Sequence, residues 1–204
     1  YGFTDMKTIT GKILFEAIKK LKNNTALGID LWEVQYLKQM SYEVCEQLAM
    51  FYNLCEQEAR WPRHLLINII ILMGKPTGGT RPIALMPMFY RIWTKVRKPE
   101  LDHWCLGNKG PWDAAVAGSS ALRSALLTLL GDEISALNNE EVLKILWDLE
   151  KFYDTINISL LIDRAISLNY PIGPLALGIQ MHMAPRCIKA YDHYVVVQQP
   201  NMSI

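Results

Sequence analysis

Cysteine is scarce and scattered. Cys45, Cys55, Cys105 and Cys187 are the only four, and no CxxC pair occurs. That spacing argues against a zinc ribbon or a disulfide framework and predicts reduced thiols in an intracellular protein. Long apolar runs are missing as well. Residues 65–73 are interrupted by Asn68 and fall well short of the ~20 residues that cross a bilayer, so no spanning helix and no membrane partner are expected. The chain opens on Tyr1, with no basic segment leading into an apolar one. No signal peptide is therefore visible, and the missing initiator Met predicts a fragment. There is no GxSxG elbow, no GxGxxG turn and no HExxH, which removes the sequence case for a serine hydrolase, a dinucleotide enzyme or a zinc protease. The four histidines (His64, His103, His182, His193) show no ligand spacing and read as structural. No Asp-Asp pair occurs anywhere, and no internal repeat or low-complexity tract is present. The Asn-x-Ser/Thr triplets at Asn23, Asn157 and Asn201 read as chance occurrences.

What is present is a chain of 204 residues, 50% hydrophobic and 20% charged, enough apolar content for a real core. The formal net charge of +1 hides a segregation. Between Glu58 and Glu100 there is no acid, but eight cations: Arg60, Arg63, Lys75, Arg81, Arg91, Lys95, Arg97 and Lys98. From Asp132 to Asp163 the sign reverses, with eight acids against Lys144 and Lys151. A basic region interleaved with Trp61, Phe89, Tyr90 and Trp93 suits a nucleic-acid backbone track with aromatic support, and equally suits a helix surface over buried aromatics.

Periodicity predicts an amphipathic helix over residues 10–22, a turn at Gly28-Ile29-Asp30, a short helix over 31–40 and a Ser41-capped helix through Ala59. That last helix is expected to bury Val44, Leu48, Phe51, Tyr52 and Cys55. Trp61-Pro62 closes the helical block. Two strands, 67–73 and 81–86, flank a Gly-rich turn and make a hairpin. A helix over 89–104, a loop at 107–113 and a helix capped by Ser119 or Ser120 through Leu130 follow. Residues 142–147 read as a buried strand running into Asp148. Helices over 157–168 and 172–183 and a terminal strand over 188–197 complete an α+β order.

Two segments could carry chemistry. In the first, an apolar run delivers Asp148 at its end, with Asp154 shortly before a helix. A rigidly held carboxylate suits a hard cation such as Mg²⁺, which takes one or two protein carboxylates plus water and phosphate oxygens. The same pattern also fits an Asp148 that caps a turn and an Asp154 that caps a helix. In the second, Lys75 and Arg81 bracket Pro-Thr-Gly-Gly-Thr, a possible clamp for a polyphosphate, though not a P-loop. A solvated hairpin tip is the alternative.

In this order the segments resemble the reverse transcriptases of non-LTR retrotransposons and group II introns. Thr25-Ala-Leu-Gly28-Ile-Asp30 is similar to the family's early Gly-x-Asp segment. Trp61-Pro62, the Ile-rich strand ending at Lys75-Pro76, and Arg81-Pro82-Ile83-Ala84-Leu85 are similar to its fingers hairpin. Phe89-Tyr90-Arg91-Ile92 with Lys95, and Ala117-Gly118-Ser119-Ser120, resemble the helices that follow. Asp148-Leu-Glu-Lys-Phe-Tyr-Asp154 resembles the first palm motif.

The resemblance implies a right-hand polymerase fold with fingers plus a partial palm. Residues 1–60 would form the N-terminal helical segment of the fingers, 61–141 the fingers hairpin and helices, and 142–204 the partial palm. It further implies that Asp148 binds catalytic Mg²⁺ or Mn²⁺ and that Lys75 and Arg81 hold the dNTP triphosphate. Tyr153 would be the steric gate against a ribose, while Asp154, Gly28 and Asp30 serve structure. The implied partners are an RNA template, a DNA primer and dNTPs, with endonuclease or ribonuclease H domains possible in a longer parent. The family's second, Asp-Asp motif is not in these 204 residues. A two-metal site needs more carboxylates than Asp148 alone, so this stretch by itself is not expected to synthesise DNA. The rival expectation is a non-catalytic nucleic-acid-binding remnant of a degenerate mobile element; a Mg²⁺-dependent nuclease would need further clustered carboxylates.

Overall fold

The computed structural model describes residues 6–110, 113–116, 118–145, 155–190 and 193–197. The chain divides into two compact units, Tyr1–Pro99 with Tyr153–Ile204, and Glu100–Phe152.

The first unit starts with α1 (Gly11–Lys19), whose N-cap Thr10 accepts from the Ile13 amide. It buries Leu14 and Ile18, as the spacing of its apolar residues requires. A short α2 (Val34–Leu37) follows, less than the helix expected over 31–40. Leu31 is the reason: it sits at φ 53°, a left-handed turn conformation that a helix cannot include. Next, α3 (Tyr42–Gln57) is capped by the Ser41 hydroxyl. Its buried residues are Cys45, Ala49, Tyr52 and Cys55, so the inward face is turned about one residue from the one expected. Val44 is exposed, while Leu48 and Phe51 pack at the edge of the core. Apolar residues outnumber the positions on one face here, and periodicity alone could not choose among them.

Four strands form one sheet in the order β2-β1-β3-β4. β1 (Asn68–Gly74) pairs antiparallel with β2 (Thr80–Leu85) and parallel with β3 (Arg186–Ala190), which pairs antiparallel with β4 (His193–Val197). The single terminal strand expected over 188–197 is therefore two strands, with Ala190 opposite His193. Asn68, fully buried, ties the sheet to α7 (Ile172–His182): its amide nitrogen donates to the Met181 carbonyl at 2.7 Å, and its backbone N–H to the Pro185 carbonyl at 3.0 Å. α6 (Ile158–Ser167) precedes α7, capped by Asn157.

The core joins α1, α3 and α7 to the start of α4 (Met88–Asn108). Trp61 is its hub, edge-on to Tyr52, Phe89, Tyr90 and Trp93 at centroid distances of 5.2–6.3 Å. Each buried side chain of this size removes enough apolar surface from water to contribute about 1.5–3 kcal/mol. The Trp61 indole donates to the Leu177 carbonyl at 3.0 Å. Gln180 grips the same turn twice, accepting from the Trp61 amide at 3.1 Å and donating to the Ala59 carbonyl at 2.6 Å.

In the second unit, α5 (Ala121–Leu137) is capped by Ser120 and runs through Gly131, further than the expected end at Leu130. None of its residues is buried. Lys144 and Asp132 form an exposed ion pair there, a contact worth little in water. Residues 142–145 are not a strand: Val142, Leu143 and Ile145 are exposed. This corrects the expected buried strand over 142–147 for its described part. A strand exists only with a partner, and none of the four strands pairs with these residues.

Two measurements test this architecture. α3 ends in a Schellman motif, with the Ala59 amide on the Glu56 carbonyl and the Arg60 amide on the Cys55 carbonyl. Its left-handed position, φ 52°, is filled by alanine rather than glycine. Ala59→Gly should therefore raise stability by about 1 kcal/mol, read as a higher urea midpoint at unchanged slope; a lower midpoint would show that the methyl group packs usefully. The second test uses His182, whose pKa is held below the usual 6.5, first by burial and then by the Arg186 charge. The folded chain prefers the neutral imidazole and the unfolded chain takes up the proton more readily, so this contribution is present above pH 6.5 and lost as pH falls through the lowered value. His182→Gln should lose less stability than the parent between pH 7 and 5 in paired urea melts; parallel pH profiles would contradict it.

Candidate nucleotide-binding hairpin

The β1–β2 hairpin is closed by the Lys75 amide on the Gly79 carbonyl at 3.0 Å and the Gly78 amide on the Lys75 carbonyl at 3.1 Å. Gly78 and Gly79 take φ 88° and 82°, a pair of left-handed positions that explains the glycines. Lys75 leaves β1 directly after its last residue, and Arg81 sits opposite Met73 near the start of β2. Both side chains are exposed, and neither has an ion-pair partner among the described residues. In the pairing register, Arg81 shares a sheet face with Met73 and Ile71, and Ile71 pairs with Lys189. A third cation thus belongs to that face. Lys189 lies over the Tyr194 ring at 5.4 Å. No local pattern singles it out, because its register with Ile71 depends on a parallel pairing made more than a hundred residues away.

Gly28 and Asp30 support the helix that follows the hairpin. A Cβ on Gly28 would lie 2.5 Å from the Met86 carbonyl oxygen and 2.7 Å from Pro87 Cα, so only glycine lets these two backbone segments meet. Asp30 Oδ2 accepts the Phe89 amide at 3.0 Å, capping the first turn of α4 from a distant part of the chain. Arg91 donates to the Ala26 carbonyl at 2.7 Å, pinning the loop on its other side. Burial lowers the Arg91 pKa and the nearby Asp30 charge raises it.

The acid-free block does not act as one surface. Arg97 is only 3% exposed and is chelated by Glu56, with its Nη1 donating to the Lys7 carbonyl at 2.6 Å. Arg91 is engaged with Ala26, as above. Trp61, Phe89, Tyr90 and Trp93 are all buried. The aromatics interleaved with the cations are therefore core and offer no stacking platform. Arg60, Arg63, Lys75, Arg81, Lys95 and Lys98 are the exposed cations of the block.

Other chemistry is not supported by the described residues. Cys55 is pushed up to about 11 by burial and then by Glu56, which keeps its thiol protonated. Among the described residues no three His, Cys, Asp or Glu side chains gather as a metal site, and no helix is long and apolar enough to cross a membrane. Asp148, Tyr153 and Asp154 lie outside the described residues. A scan against models of known protein families and a search of curated proteins both find no match.

Proposed function

We propose that the chain contributes to an RNA-directed DNA polymerase. In this reading the β1–β2 hairpin is the fingers element that grips the triphosphate of an incoming dNTP, within a right-hand polymerase fold. The observation that carries it is the pair Lys75 and Arg81, two exposed cations without ion-pair partners among the described residues, set either side of a hydrogen-bonded glycine turn. Fixed donors of this kind bind phosphate oxygens without first breaking an internal ion pair. The motif order in the sequence adds the rest. Asp148 would supply an oxygen ligand for Mg²⁺ or Mn²⁺, Tyr153 would exclude a ribose 2′-hydroxyl, and RNA template and DNA primer would be the polymeric partners. A bound divalent ion would stabilise charge on the transferring phosphate.

The direct test is binding of a fluorescent dATP analogue with Mg²⁺ by the 204-residue protein. A charge-assisted hydrogen bond contributes about 1.5–3 kcal/mol, so Arg81→Ala should weaken binding by at least tenfold. Lys75→Ala should weaken it by a smaller factor, at unchanged thermal stability. Binding that ignores both substitutions, or no binding by the parent protein, would refute the assignment.

A further inference from the structure

We propose that the cleft beside the Trp61-Pro62 turn docks an acidic peptide segment of a partner protein, one that presents an apolar side chain between carboxylates. The cleft holds about 820 Å³ and is lined by Phe51, Leu54, Trp61, Pro62, Leu66 and Gln180. Arg60 and Arg63 also line it, both exposed and without ion-pair partners among the described residues. Glu58 is the single acid there. The site shares no residue with the Lys75–Arg81 hairpin, so it goes beyond the polymerase reading and does not depend on it.

Charge and shape together select the occupant. Two planar guanidinium forks match carboxylates in bidentate geometry, and the apolar lining of the same cleft matches an apolar anchor. Leu54 is 53% exposed and belongs to that lining. A nucleic-acid strand fits less well, because Trp61 is 3% exposed and packed among other aromatics, so the indole offers no open face to a base. The turn that carries Arg60 is also preformed. Gln180 fixes the backbone at both Ala59 and Trp61, and the Arg60 amide is tied to the Cys55 carbonyl, so binding need not order this turn first.

The experiment is fluorescence anisotropy with the 204-residue protein. The probes are labelled hexapeptides with a central Leu-Leu, Leu-Phe or Phe-Phe pair flanked by glutamates, the same peptides with lysine flanks, and a short oligouridylate. An acidic probe should bind saturably. The surface double variant R60E/R63E should weaken it by at least about tenfold while gaining affinity for the lysine-flanked probe, and should leave dATP-analogue binding unchanged. Leu54→Asp should also weaken the acidic probe. Absence of binding by every acidic probe, binding that survives charge reversal, or displacement by the oligouridylate would each overturn the proposal; the last would assign the cleft to nucleic acid.

Discussion

Glu56→Ala should destabilise the protein by about 3–5 kcal/mol, a large fraction of the 5–15 kcal/mol that holds a typical domain together. Glu56 accepts from the Trp93 indole at 2.8 Å and from Arg97 Nε at 2.6 Å, and its other oxygen takes the Arg97 Nη2 hydrogen bond. Arg97 is 3% exposed and Glu56 12%, so water cannot replace the lost carboxylate. Removing it leaves a buried guanidinium charge and strands a buried indole N–H. The pair as a whole is not strongly stabilising, because both charges had to be stripped of water to form it. The double variant E56L/R97M should therefore be more stable than Glu56→Ala alone. Urea melts of the parent and the variants give the answer. A loss below about 1 kcal/mol for Glu56→Ala would mean that Arg97 finds other partners or reaches solvent, and the assignment of this pair as a core element would fall.

That ion pair is invisible to any local sequence pattern. Arg97 and Glu56 are 41 residues apart, and in the sequence Arg97 is indistinguishable from Lys95 and Lys98. Local signals served well where the cause is local. The Ser41 and Ser120 caps, the apolar face of α1 and the glycine turn between β1 and β2 depend on near neighbours, and the elements lie close to where patterning puts them. Strands failed where their existence depends on a distant partner. Residues 142–145 have the composition of a strand but lie exposed and unpaired, whereas the 188–197 region breaks in two to make a hairpin against β1. The aromatics of the basic block misled for a related reason. Alternation of cations and rings fits a nucleic-acid track and a helix with one buried stripe equally well, and only packing against α3 and α7 decides for the second.

The charge segregation acquires a more selective meaning as a result. Of the eight cations in the acid-free block, Arg91 and Arg97 are committed to holding the fold, through Ala26 and Glu56. The exposed ones include two pairs with separate settings, Lys75 with Arg81 on the hairpin and Arg60 with Arg63 on the cleft. The absence of acids between Glu58 and Glu100 keeps both pairs unquenched within their own segment; the buried guanidinium draws its counter-charge from α3 instead.

If the polymerase reading is right, Asp148→Asn should abolish DNA synthesis while leaving the hairpin's nucleotide affinity nearly intact. The test belongs in a protein that joins these residues to a complete set of palm carboxylates, because the 204-residue stretch contains no Asp-Asp pair and Asp148 alone cannot complete a two-metal site. Asparagine keeps the shape of the side chain and one oxygen but removes the negative charge that a hard cation demands. Charge stabilisation of several kcal/mol in the transition state, at 1.36 kcal/mol per factor of ten, corresponds to at least about a 10³-fold loss of turnover. The dATP-analogue affinity is the informative control. In that reading Lys75 and Arg81 act on the triphosphate from a hairpin closed by its own backbone hydrogen bonds, so binding should change by only a few-fold. Retained synthesis would eliminate Asp148 as a metal ligand. Loss of synthesis together with loss of folding, read from the urea midpoint, would instead give Asp148 the turn-capping role.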